Sequence, residues 1–118
     1  MFDENIQIIK KPIRRGDVLA MTGKWFNDLV KAVVDLEQEV MAIDAELHAD
    51  EERVLLEQGS KQENLWGINL FPTRVDDSWI QFDSMINIRP RQNNRSKGVE
   101  DQKIRERIKG VVEKLVVN

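Results

Sequence analysis

Apolar and polar residues alternate with period two along two neighbouring stretches of the chain. In VKAVVDL, residues 30–36, Val30, Ala32, Val34 and Leu36 share one parity and Lys31 and Asp35 the other. In EVMAIDAELHAD, residues 39–50, Met41, Ile43, Ala45 and Leu47 alternate with Asp44, Glu46 and His48. Successive side chains of a strand point to opposite sides of the sheet. Two such runs about a polar turn at Glu37-Gln38 therefore predict a β-hairpin. A helix over 39–48 is the rival, but it would scatter Val40, Met41, Ile43, Ala45 and Leu47 around most of its circumference.

Shorter signals flank the hairpin. NIQII, residues 5–9, ends near Pro12 and reads as an edge strand. Val18, Met21, Trp25, Phe26 and Leu29 recur at helical spacing and predict a helix from Asp17 to Leu29, weakened but not broken by Gly23. Asp50-Glu51-Glu52 opens a short helix with Gly59 as its C′ residue. LWGINLF, residues 65–71, reads as a strand stopped by Pro72. WIQFDSMINIR, residues 79–89, alternates again, with Ile80, Phe82, Ile86 and Ile88 on one side. This parity puts Trp79 on the polar side, half exposed. PRQNNRSKG, residues 90–98, is a polar loop, and Ile104, Ile108, Val111, Val112, Leu115 and Val116 mark a final amphipathic helix after Asp101.

The expected architecture is a single α+β domain over residues 1–118. It has a mainly antiparallel sheet of four or five strands, two main helices on one face and one short helix. The other face is left wet, with Lys31, Asp35, Asp44, Glu46, His48, Asn69, Asp83, Asn87 and Arg89.

Composition narrows the partners. A chain of 118 residues with 41% hydrophobic and 33% charged content is built for a folded core rather than disorder. Net charge is −3, which argues against nucleic acid and anionic membranes unless a local patch serves. With no cysteine, disulfides and thiolate chemistry are excluded. MFDENIQIIKK puts acids where a signal peptide needs bases, and no apolar run reaches the length of a membrane helix. A cytoplasmic protein is expected, with a homodimer allowed by open sheet edges.

Two stretches, ELHADEERVLLEQGSKQENLWGIN and FDSMINIRPRQNNRS, give the chain a pedigree. On them it resembles a family of small, mostly bacterial proteins known only as a domain of unknown function. The resemblance runs from about Val30 to Asp101 and implies a compact single-domain protein. It brings no activity, cofactor or catalytic residue with it. At Asp44-Ala45 the sequence departs from the glycines that the family tends to have there.

The candidate chemistry rests on residue types alone. Glu46 and His48, two apart on a strand, would aim the same way with Cα atoms about 6.7 Å apart. They suit acid/base catalysis, or a divalent metal site with Asp50 as a third ligand. The plain alternative is a solvated sheet face with Asp50 in a helical first turn, where a carboxylate is favoured by the free amides. Arg89, Arg91, Arg95 and Lys97, interleaved with Asn93, Asn94 and Ser96, concentrate cations within nine residues. Arg89, Arg91, Asn94 and Arg95, with Asn87 and Lys61 nearby, are candidates to bind a small anionic ligand or a partner's acidic segment. Two functions follow. One is a binding module on the polar sheet face. The other is a small enzyme using Glu46 and His48 with an arginine-held substrate, possible metal included.

Overall fold

The computed structural model describes residues 5–118. The acidic start of the chain, part of the case against a signal peptide, lies outside them. Strands β1 (Gln7–Ile9), β3 (Val30–Asp35), β4 (Val40–Ala45), β5 (Leu65–Leu70) and β6 (Ile80–Gln81) form a sheet in the order β1-β4-β3-β5-β6. Each neighbouring pair is antiparallel. Helices α1 (Arg15–Met21), α2 (His48–Glu57) and α3 (Gln102–Leu115) complete an α+β fold. A second, two-stranded parallel sheet joins β2 (Ile13–Arg14) to β7 (Val116–Val117). The sequence pattern did not suggest it, because two residues carry no period.

The hairpin β3–β4 forms as its alternation predicts. Asp35, assigned to the wet face, is instead fully buried and ties the turn. Its Oδ1 accepts from the amides of Glu37 (2.8 Å) and Gln38 (3.0 Å), and its Oδ2 from Ser60 Oγ (2.6 Å). Near the other end of the hairpin the register shifts between Lys31 and Ala32, which pair with Ala45 and Ile43 and leave Asp44 in a bulge. Asp44 has φ 80°, the left-handed region that glycine enters without cost.

Parity sorts the core into two clusters. Ala32, Val34, Met41, Ile43, Trp66 and Ile68 pack with Val18 of α1 and with Ile108, Val111, Val112 and Leu115 of α3. Val33, Ala42 and Leu65, pointing the opposite way, pack with Leu55 of α2. The face expected to be wet is thus partly roofed by α2.

Three expectations fail. The first helix stops at Met21, because Thr22 adopts extended backbone and Gly23 has φ 89°. The stretch 79–89 is a strand only at Ile80–Gln81. Beyond it Ser84 Oγ accepts from the amide of Ile86 and starts a single 3-10 turn, so Ile86 packs against the cluster of Val33, Ala42, Leu55 and Leu65, and Ile88 lies exposed. Trp79 is buried, 7% exposed, with the Arg15 guanidinium 3.9 Å above its ring. Gly59, with φ 100°, does follow the α2 C-cap, as expected.

Candidate functional site

The stretch bearing His48 is not a strand. The backbone bends at Glu46, and His48 is the first residue of α2. The Glu46–His48 pair on one strand face is therefore overturned. Glu46 is exposed, whereas His48 is 7% exposed. The physical cause lies at the end of β4: Glu51 is fully buried, and its Oε2 accepts from the Ala45 amide at 3.1 Å. That bond draws α2 onto the strand end and starts the helix two residues early.

His48 then lays its ring on β5. Its Nε2 lies 2.7 Å from the Ile68 carbonyl oxygen. A carbonyl only accepts, so Nε2 carries the hydrogen. Burial pushes the imidazole down to about 4, against the opposing pull of that hydrogen bond. The ring fits because residue 67 is glycine. A Cβ there would stand 2.6 Å from Ser84 Cβ and Oγ and 3.2 Å from His48 Cδ2.

Around this ring lies a cleft of about 430 Å³ lined by Lys31, Leu47, His48, Asn69, Asp83, Ser84 and Lys97, among others. Lys31, Asn69 and Gln81 stand opposite one another on β3, β5 and β6 and form a polar row across the sheet. Asn69 Nδ2 donates to Gln81 Oε1 (2.9 Å) and to the Asp83 carbonyl (3.2 Å), while its Oδ1 is buried without a partner. At the mouth of the cleft α2 begins without a side-chain cap. The amides of Asp50 and Glu51 turn back to the Leu47 carbonyl. The amides of His48 and Ala49 find no acceptor among the described residues. Neither Lys31 nor Lys97 is ion-paired among those residues, and Lys31 Nζ sits 4.8 Å from the Phe26 ring centroid.

Other predicted site residues are committed to the fold. Asn87 is fully buried and pairs with the Gly67 backbone, accepting from its amide (2.8 Å) and donating to its carbonyl (3.0 Å). It also donates to the Lys97 carbonyl at 2.9 Å, which positions that residue at the cleft. Asn94 Nδ2 donates to the carbonyls of Asn87 and Gly98, and its Oδ1 accepts from the Glu100 amide. The Arg89 guanidinium stacks 4.2 Å over Trp66 and donates to the carbonyls of Leu65 (2.6 Å) and Gln62. Desolvation lowers its pKa from the ordinary arginine value. Arg91, Arg95 and Lys61 are exposed and do not line the cleft. Asp50, in the first turn of α2, pairs with Arg53 in the next turn at 2.8 Å. Among the described residues, no three His, Asp or Glu side chains are grouped to hold a metal ion.

Reasoning from residue types passed over Lys31, Asn69, Gln81, Asp83 and Ser84 as site residues. The signal was present, since the strand parities place the first four on one polar side, away from the buried Val34, Ile68 and Ile80.

A five-stranded antiparallel sheet roofed by a helix whose uncapped start opens onto a lysine-flanked cleft defines a small α+β domain with one buried histidine. The chain belongs to the family described as "Protein of unknown function (DUF5674)", whose model matches residues 7–115. No curated protein and no solved structure matches it. No helix among the described residues is long and apolar enough to cross a membrane.

Proposed function

We propose that the protein is a binding module for a small anion, taken up in the cleft between the start of α2 and the polar row of the sheet. The observation that carries this is the unsatisfied pair of amides at His48 and Ala49, flanked by Lys31 and Lys97. Free amides at a helix start present partial positive charge and hydrogen-bond donors together, which suits a carboxylate or phosphate. The buried Asn69, with an unpartnered oxygen, adds a polar wall to the same cleft. Acid–base chemistry has weaker support. A base with a pKa near 4 is a feeble proton acceptor at neutral pH, and Glu46 does not line the cleft.

The test is a thermal-shift and NMR titration with phosphate, sulfate and small dicarboxylates. At millimolar anion the melting temperature should rise, and amide signals of His48, Ala49 and Lys97 should move. Replacing both Lys31 and Lys97 with Ala should weaken binding at least tenfold, because two charge-assisted contacts are lost. Anions that stabilise the double variant as well as the parent would refute the site.

A further inference from the structure

We infer, resting on that anion site, that the anion it takes carries two hydroxyl groups, one donating to His48 Nδ1 and the other to Asn69 Oδ1. Both atoms are acceptors by necessity. His48 Nε2 must hold its hydrogen for the Ile68 carbonyl 2.7 Å away. The neutral ring therefore leaves a lone pair on Nδ1. The Cδ2–Nε2 edge lies against Gly67 and Ile68, so the Nδ1 edge faces away from β5, and Nδ1 has no protein partner among the described residues.

The orientation of the Asn69 amide is fixed in the same way. Its nitrogen donates to the Asp83 main-chain carbonyl, which has no hydrogen to give, so the amide cannot be turned around. Its Oδ1 is left buried and without a donor. A buried acceptor with no donor is destabilising, and a ligand that supplies the donor relieves it. Both residues line the cleft that holds Lys31 and Lys97. Both donors should be hydroxyls rather than ammonium groups. Both acceptors are uncharged, and the two lysines repel a further cation. Asp83, the carboxylate of the cleft, is itself solvent-exposed.

His48 is the chain's single histidine, so a long-range proton–nitrogen spectrum of the whole protein reads Nδ1 without ambiguity. Two pairs of probes differ in their hydroxyl groups. Glycerate and propionate are the carboxylate pair; glycerol 3-phosphate and propyl phosphate are the phosphate pair. At pH 7 the hydroxylated member of one pair should bind about tenfold more tightly and shift the Nδ1 resonance. Its deoxy partner should leave that resonance in place. The responding pair identifies the acid group. Equal affinity within both pairs, or tighter binding with Nδ1 unmoved, overturns the hydroxyl inference while leaving the anion site standing. No binding by any of the four overturns both. Lys97→Ala should weaken both members of the responding pair alike and preserve their ratio. If it erases the ratio, the lysine rather than the two acceptors reads the hydroxyls, and the inference fails.

Discussion

Replacing Glu51 with Gln should stabilise the protein progressively as the pH rises. Glu51 is fully buried in α2, and only its Oε2 has a partner, the Ala45 amide. Burial raises its pKa well above the ordinary value, so the folded state holds a proton that the unfolded chain releases above about pH 4.5. Below that pH both states are protonated, and the glutamine variant should match the parent to within about 1 kcal/mol. Above it the parent loses up to about 1.4 kcal/mol of stability per pH unit until the folded pKa is reached, where the loss levels off. Glutamine keeps an acceptor for Ala45 and has no proton to lose, so its curve lacks this slope. His48 acts in the opposite sense. Its folded value is about 4, so its stability contribution is present above about pH 6.5 and lost as the pH falls toward 4. Over about 2.5 pH units that is roughly 3 kcal/mol. Because both proteins share His48, it cancels in the difference. The assay is urea unfolding of parent and Glu51→Gln at half-unit steps from pH 4 to 9. The difference should grow with pH and then plateau, and the plateau reads the folded pKa of Glu51. Parallel curves across the range would show that Glu51 ionises as freely inside the fold as outside it.

Three further substitutions test the geometry. Gly67→Ala should cost about 1–3 kcal/mol in urea unfolding, because its Cβ would press on Ser84 at 2.6 Å, and it should shift the His48 ring signals. Asp35→Ala removes the acceptor of three hydrogen bonds at the hairpin turn and should lower stability by roughly 2–4 kcal/mol. Asp44→Gly relieves the positive φ and an unpartnered buried oxygen while losing the Lys24 ion pair at 2.9 Å. A net gain of about 1 kcal/mol is expected, and a loss of that size would show that the ion pair dominates.

What could be read from the sequence was what repeats. The hairpin and α3 carry enough periods for parity and helical stripe to be unmistakable, and the apolar face of Val34, Met41, Ile43, Trp66 and Ile68 came out on one side. Single contacts that override a period could not be read. The alternation of Ile80 and Phe82 runs on through Ile86 and Ile88, yet one serine hydroxyl turns the backbone at residue 84. The parity of Asp44, Glu46 and His48 is unbroken in the sequence, but a bulge and a buried glutamate convert its last member into a helix start. The arginine-rich loop looked like a ligand grip because nothing in its composition reveals that Arg89 spends its guanidinium on Trp66 and two carbonyls. The cleft needed both kinds of information: parity for Lys31 and Asn69, and the fold for Lys97.

The clasp of Asn87 on Gly67 bears on self-association. By imitating a neighbouring peptide, that carboxamide occupies the flank of β5 that β6, only two residues long, leaves unpaired. Among the described residues that side of β5 therefore offers little vacant backbone to an incoming strand, and the other edge of the sheet is β1.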